Sequence, residues 1–481
     1  KKKLIEIGNS SLSQNKKKTQ IKYLNDRLSH EKKVMIRNHK NIKSLKKKFK
    51  KIEIYDHHKA HAASAYYYSG WKNCYVLTSD GWGDHSSSKL YRIIKGNFKE
   101  ISRSSTIDSL GYFYGSITKL LGFTPHRHEG KILGLAAFGN PRKAYSIISK
   151  IISFDKKNNC FKGNFEKGLY IAKFDNSNLK FLLNKFKKKD IAAAAQKRLE
   201  EVISDFIKYN IPYKSNIALA GGVFANVKIN QIISEMRNIN KIFVYPNMGD
   251  GGLAVGVAAL SYNNKKGFMP EKVKSMYLGS KYSNKQILSE IKKGNFKTLE
   301  IKKPEKFIAK KLHEGYVVGC FQGRMEFGPR ALGNRSILVG TKDKSVNEWL
   351  NKRLRRTEFM PFAPMTLKRF SRKMYPDLKS KYICTKFMTV TCKCSSYAKR
   401  TSPAAIHVDG TARPQIIEFQ DNKIIYRILD EYYKLSNNPN LINTSFNVHE
   451  EPIVCSPSDA IRAFKSSKLD FLFIGNYILK K

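Results

Sequence analysis

The chain has 481 residues, 41% hydrophobic and 12% aromatic, which at roughly 100–200 residues per domain means two to three domains with sizeable cores and excludes wholesale disorder. No run approaches the roughly 18–20 apolar residues of a membrane-spanning helix, so no membrane partner is expected. Ninety Lys+Arg against 38 Asp+Glu give a formal charge of +52; the Lys are scattered through polar stretches such as Lys187–Lys189, as a compositional bias would leave them, whereas the Arg cluster.

Residues 1–52 are Lys-rich and weakly patterned, which suggests an amphipathic helix feeding a short strand at Ile52–Tyr55. Residues 53–265 then alternate apolar runs with helical patterns and Gly-rich turns. Cys74–Ser79, Asn216–Ala220 and Lys241–Tyr245 read as buried strands and Ala192–Ile207 as a helix, the alternation of an α/β domain. Polar turns and the punctuation of Pro270, Gly279 and Pro304 mark a connector over 266–310. A strand at Tyr316–Phe321 opens a second α/β domain, 311–481. Seven Cys, an odd number, fit a reduced intracellular protein, hence a cytoplasmic location. The first 50 residues are too polar for a signal peptide.

Several motifs carry chemistry. His57 and His61 are four apart on an Ala-rich helical pattern, so they share a face and can ligate one metal, or serve as structural histidines. Asp80 ends an apolar strand at Asp80-Gly-Trp-Gly-Asp84, where sheets of this class bind ligands, although an Asx turn explains it equally. Gly221-Gly222-Val-Phe-Ala-Asn226 follows a strand; its backbone N–H groups can cradle phosphate or simply make a tight turn. Asp250 lies in Gly249-Asp-Gly-Gly252 after the next strand, as a helix cap or cation ligand. Two His and two Asp make a mixed N/O set that suits Fe²⁺, Mn²⁺ or Zn²⁺ better than Mg²⁺.

In the second domain Arg324, Arg330 and Arg335 fall within twelve residues that hold Gly and Pro but no Lys. The planar guanidinium matches phosphate with two bonds, and a solvated basic face in this chain is usually Lys-rich, so a phosphate or carbamoyl clamp is expected ahead of a solvated face. Arg353, Arg355, Arg356 and Glu358 extend it, as does His407-Val-Asp409-Gly-Thr-Ala-Arg413; Asn443-Thr-Ser445-Phe-Asn447 offers further polar groups, or a turn.

In order, HHKAHAASA, DGWGD, HEGKILGLAAFG (His128–Gly139), GGVFAN, GDGGLAVG, GRMEFGPRALGNRSI, NKRLRRTEFMPFAP, HVDGTARPQ and NTSFNVHEEPIV resemble the nodulation-protein-U/tobramycin O-carbamoyltransferase family, over nearly all the chain from residue 53. The resemblance implies an actin/sugar-kinase/Hsp70-like domain, similar to the ATPase of tRNA threonylcarbamoyladenosine modification, over 1–265, and a YrdC-like domain over 311–481. It implies that ATP and carbamoyl phosphate give carbamoyladenylate and pyrophosphate, and that the carbamoyl group passes to a hydroxyl of a sugar, oligosaccharide or natural product. By motif match, Arg324, Arg330, Arg335, Arg353, Arg413, Ser445 and Asn447 bind carbamoyl phosphate and ATP, and Gly221, Gly222 and Asn226 contact nucleotide. Arg324, Arg330, Arg335 and Arg413 are the catalytic candidates; Lys131, in His128-Glu-Gly-Lys131, joins them with its detailed role open. His57, His61, Asp80 and Asp250 hold a divalent metal, Fe²⁺ ahead of Mg²⁺ or Mn²⁺.

Two departures stand against the family pattern. Its N-terminal strand pair, with an early His, has no counterpart in residues 1–52, and the sequence lacks an initiating Met, so a truncated N-terminus is expected. Met360 stands where many members carry Arg. The alternative enzyme reading is a threonylcarbamoyladenosine or hydrogenase-maturation relative; the non-enzymatic one is a basic nucleic-acid binder, which the absence of aromatic-interleaved basic stretches disfavours. A homodimer is left open.

Overall fold

The alternating apolar runs become, in the computed structural model, two α/β units that divide between Lys272 and Val273. The structure describes residues 2–169, 177–267, 270–294, 296–354, 362–448 and 451–480; Arg355, Arg356, Glu358 and Met360 lie outside them.

The first unit opens with helices α1 (Lys2–Gly8) and α2 (Gln14–Lys48), the latter burying Gln20, Tyr23, Leu24 and Arg27. The expected strand at 52–55 does not form: these residues join no ladder, and Ile54 stays 69% exposed because no neighbouring strand pairs with the segment. Then follow α3 (His57–Tyr67), β1 (Asn73–Gly83), β2 (Ser86–Ile94), β3 (Asn97–Ser105), α4 (Leu110–Leu120), α5 (Glu129–Ala136), the hairpin β4 (Ile152–Asp155) and β5 (Cys160–Gly163), α6 (Lys188–Asn210), β6 (Ser215–Ala220), α7 (Val227–Glu235), β7 (Ile239–Val244) and α8 (Leu253–Lys266). The expected strands and helix fall within β1, β6, β7 and α6, apart from Tyr245, which lies just past β7.

The main sheet has the order β3-β2-β1-β6-β7. β1, β2 and β3 are antiparallel neighbours, while β6 and β7 run parallel to β1 and align their carboxyl ends with it. Helix α3 is built from small residues, and Ala60, Ala62, Ala63 and Ala65 are buried. Its backbone meets α8 so closely that a Cβ on Gly256 would lie 1.9 Å from the Ala60 carbonyl oxygen.

The second unit contains α9 (Asn284–Lys292), β8 (Lys297–Glu300), α10 (Pro304–His313), β9 (Val318–Phe321), β10 (Arg335–Gly340), α11 (Val346–Arg353), β11 (Ala363–Leu367), β12 (Cys392–Lys393), β13 (Thr411–Ala412), β14 (Gln415–Ile417), α12 (Lys423–Ser436), β15 (Asn440–Ser445), α13 (Pro457–Ser466), β16 (Phe471–Ile474) and β17 (Tyr477–Lys480). Residues 266–310, read from sequence as a connector, thus carry a helix, an edge strand and the first turns of α10. The sheet order is β14-β11-β15-β10-β9-β16-β17-β8. Alternation along its strands fills two cores: Phe321, Ile337, Val339 and Ile442 face one side, and Val318, Cys320, Leu338 and Leu441 the other.

Candidate metal centre and arginine loop

Four side chains converge at the carboxyl end of the first sheet. Each of His57, His61, Asp80 and Asp250 offers a ligand atom, and all four atoms lie within 4.8 Å of one another. His61 Nε2 is 3.1 Å from Asp80 Oδ2 and 3.5 Å from Asp250 Oδ1; His57 Nε2 is 3.9 and 3.8 Å from the same oxygens.

Local sequence explains each position. Asp56 caps α3, accepting from the Lys59 N–H at 2.8 Å, and this sets the phase that turns His57 and His61 to one side. The β1–β2 register breaks between Ser79 and Gly83, and Asp80 lies in that break, out of the ladder. Gly83 leaves room for a ligand: a Cβ there would sit 2.2 Å from the His57 ring. Asp250 enters from the turn after β7 that leads into α8. Gly221, at φ 101°, lets the chain turn where a Cβ would lie 2.1 Å from the Ser79 carbonyl oxygen, and the next residue, Gly222, brings its backbone beside Asp80 Oδ1.

His58, between the two ligand histidines, points elsewhere. Its Nε2 faces the Ser86 carbonyl at 3.1 Å, which only accepts, so Nε2 carries the proton and Nδ1 accepts from the Thr78 hydroxyl at 2.9 Å. Burial pushes it down to about 4. For His61 burial acts the same way, but the Asp250 and Asp80 carboxylates outweigh it and hold the imidazole above its ordinary value. Asp80 is the converse: burial would raise it, and the neighbouring His57 and His61 imidazoles, the latter at 3.1 Å, hold it well below the carboxylate range.

The centre fits a divalent cation. His57 Nε2 is buried without a hydrogen bond while facing two carboxylates, and the donors are the mixed N/O set that first-row metals take. The remaining first-unit candidates are spread out. Asn226 caps α7, accepting from the Ile229 N–H at 3.2 Å and donating to Gln196 Oε1 at 2.9 Å. Lys131 is 7% exposed on α5, which packs on α4 and α6 and carries none of the four ligands.

In the second unit, strand directions gather most of the remaining candidates at one end of the sheet. The loop of Arg324 and Arg330 joins the carboxyl end of β9 to the start of β10 at Arg335, which pairs with Phe321. Ser336 pairs with Ser445, so β15 ends here, and Asn447 follows, bonded to Ser445 Oγ at 2.7 Å. β11 and β14 both start at this end, which brings Arg413, two residues before β14, to it. Arg324 is exposed and its guanidinium reaches the Gly279 and Leu278 carbonyls at 3.1 and 3.3 Å; Arg330 and Arg413 are half-buried. Arg353 is not brought there: its Nη1 lies 3.3 Å from Asp470, whose carboxylate also holds the Val317 N–H, at the opposite ends of β9 and β16.

Sequence reasoning passed over the groups that shape this loop. Glu326, 5% exposed, accepts on Oε1 from the N–H groups of Leu332, Asn334 and Arg335 at 2.7, 2.8 and 3.2 Å. Gln415 donates to the Leu332 carbonyl at 2.8 Å and Asn443 to that of Ala331 at 3.1 Å. The available signal was a single carboxylate inside an arginine-rich loop.

The chain matches the family model described as Carbamoyltransferase N-terminus over residues 8–259 and Carbamoyltransferase C-terminus over 309–481. Protein MJ1058 of Methanocaldococcus jannaschii is 34% identical over 474 residues, covering 91% of this chain and 76% of the relative. Nodulation protein NolNO of Sinorhizobium fredii is 29% identical over 447 residues, 90% of this chain and 64% of the relative; Nodulation protein U of Rhizobium tropici is 29% identical over 274 residues, 57% and 45% respectively. No helix among the described residues is long and apolar enough to cross a membrane. The N-terminal and C-terminal family models, met in order, account for most of the chain, so the resemblance read from its motifs is borne out: the protein belongs to the carbamoyltransferase family and is a carbamoyltransferase.

Proposed function

We propose that the protein is an ATP-dependent O-carbamoyltransferase. The second unit, read as YrdC-like, activates the carbamoyl group; the first, read as actin/sugar-kinase/Hsp70-like, transfers it to a hydroxyl of a sugar, oligosaccharide or natural product. In the activation half, water releases phosphate from carbamoyl phosphate, and the resulting carbamate oxygen attacks the α-phosphorus of ATP. Carbamoyladenylate forms and pyrophosphate leaves. In the transfer half the acceptor hydroxyl attacks the carbamoyl carbon, the hydroxyl proton is lost and AMP departs.

The observation that carries this reading is the gathering of Arg324, Arg330, Arg413 and Ser445 at one end of the second sheet. Carbamoyl phosphate and ATP are both polyanions and repel each other; fixed guanidinium groups offset that repulsion and stabilise charge developing on the transferring groups. Arg324, exposed, and Arg330 bind the phosphate groups, while Ser445 and Asn447 orient nucleotide.

In the first unit His57, His61, Asp80 and Asp250 would hold a divalent metal, Fe²⁺ ahead of Mn²⁺ or Mg²⁺. When bound, such a metal supplies Lewis acidity toward phosphate and carbonyl oxygens. Gly222 keeps a side chain away from Asp80 and offers its main-chain N–H to phosphate, whereas the Gly221 N–H is taken by the Met248 carbonyl at 2.6 Å. The test is release of AMP and pyrophosphate from ATP with and without carbamoyl phosphate. Release that ignores carbamoyl phosphate would remove the activation half of the reading.

A further inference from the structure

The loop between β9 and β10 is held from inside by two opposite charges. Glu326 turns inward and collects three main-chain N–H groups on one carboxylate oxygen, while its Oε2 is buried without a hydrogen bond. Arg335 is fully buried, its guanidinium 3.7 Å from the centre of the Phe321 ring. Its Nη1 donates to the carbonyls of Gln322 and Asn334 at 2.6 and 3.1 Å, and Nη2 reaches those of Ser280 and Gly323 at 3.4 Å each. Only Nε is left without a carbonyl. Asn334 links the two ends of the loop, donating to the Arg324 carbonyl at 2.7 Å and accepting the Gln322 N–H at 2.9 Å.

This arrangement divides the three arginines of the motif. Arg335 spends its donors on main-chain carbonyls and has no exposed surface to offer a ligand. Arg324 is exposed on the same loop and Arg330 half-exposed. The Glu326 carboxylate also acts on Arg335 without touching it: burial pushes Arg335 down to about 10 and the carboxylate works against that fall, while burial pushes Glu326 itself up against the pull of its main-chain N–H partners.

We infer that Glu326 and Arg335 are positioning residues that brace the loop on which Arg324 and Arg330 meet the anionic substrate, and that Arg335 itself makes no contact with that substrate. The inference rests on the reading of this loop as the carbamoyl-phosphate site. Preorganised donors of this kind act without reorganising at the moment of reaction, so slack in the frame is felt as lost affinity and rate.

Four variants of the full chain separate frame from contact: Glu326→Ala, Glu326→Gln, Arg335→Lys and Arg324→Ala. Two readouts are used, amide hydrogen exchange at Leu332, Asn334 and Arg335, and calorimetric affinity for freshly prepared carbamoyl phosphate. Glu326→Ala and Arg335→Lys should each speed exchange by about tenfold or more and weaken carbamoyl phosphate in proportion. Glu326→Gln, whose amide oxygen still accepts, should stay within about threefold of the native exchange rate. Arg324→Ala should weaken carbamoyl phosphate with the loop's protection unchanged. If Arg335→Lys weakens carbamoyl phosphate while protection is intact, Arg335 contacts the anion and the inference is overturned. Native-like exchange in Glu326→Ala overturns it as well. Should the native chain bind no carbamoyl phosphate, the exchange arm still decides the frame, and it is the proposed function that fails.

Discussion

The main-chain N–H of His57 donates to Asp84 Oδ2 at 2.7 Å, so the two aspartates of Asp80-Gly-Trp-Gly-Asp84 have separate roles. Asp80 turns into the candidate metal centre, and Asp84 fixes the start of the helix that carries both candidate histidine ligands. Replacing Asp84 by Ala leaves a first-turn donor without its acceptor. Metal affinity is expected to fall about tenfold, with helix stability reduced by about 1 kcal/mol. Asn at this position, whose side-chain oxygen accepts equally, should recover most of the loss. Calorimetric titration of the metal-free variants with Mn²⁺ checks this; equal losses for Ala and Asn would show that the bond plays no part.

The four ligands should contribute unequally. Asp80 is largely enclosed and bonded to His61, whereas the Asp250 side chain is 74% exposed. Asp80→Asn should therefore lose metal by roughly 100-fold and Asp250→Asn by roughly tenfold. Chelation should lower the melting temperature of the native chain and leave that of Asp80→Asn unmoved. A chelator-insensitive native chain would argue against a metal in this centre.

Two neighbouring histidines should titrate in opposite directions in the metal-free protein. His58 is pushed down to about 4 by burial, so between about pH 6.5 and 4 the unfolded chain binds a proton that the folded chain refuses. Stability falls as pH drops through that window, by roughly 3 kcal/mol in all. His61 is raised, burial being outweighed by the Asp250 and Asp80 carboxylates. Its contribution is complete below about pH 6.5 and is lost as pH climbs through the higher folded value. Imidazole resonances followed through a pH titration would give both values directly. A His58 that protonates near 6.5 contradicts the assigned bonds to Ser86 and Thr78.

Gly83 is a steric requirement of the site. A Cβ would lie 2.2 Å from the His57 ring, whereas Gly8 has nothing within 4 Å and serves as the control. Gly83→Ala should weaken metal by about tenfold or more with helix content retained, and Gly8→Ala should be neutral. Circular dichroism and Mn²⁺ titration together decide; a Gly83→Ala protein with native affinity would mean that the ring moves aside freely.

How much of this was legible in the sequence depends on the range of the interaction. The i,i+4 spacing put His57 and His61 on one face, and the apolar runs before Asp80 and Asp250 put both at strand ends, because those signals are local. What Arg335 does was not legible, since its burial on Phe321 depends on the register of two strands. Glu326 was passed over for the same reason: its partners six to nine residues away become acceptable only once the loop closes. Arg353 lies in a run of arginines by sequence, yet a helix and a strand length take it to the other end of the sheet. The Ile52–Tyr55 strand failed because alternation over four residues says nothing about whether a neighbouring strand is there to pair with it.

The central claim is that carbamoyl phosphate is activated at the expense of ATP. It is tested most directly by following AMP, pyrophosphate and phosphate from ATP and carbamoyl phosphate, with Mg²⁺ and Fe²⁺ supplied and an acceptor hydroxyl left out. The account predicts pyrophosphate release that requires carbamoyl phosphate and is lost in Arg324→Ala. Pyrophosphate release that proceeds equally without carbamoyl phosphate, or none from the folded native chain, would contradict it.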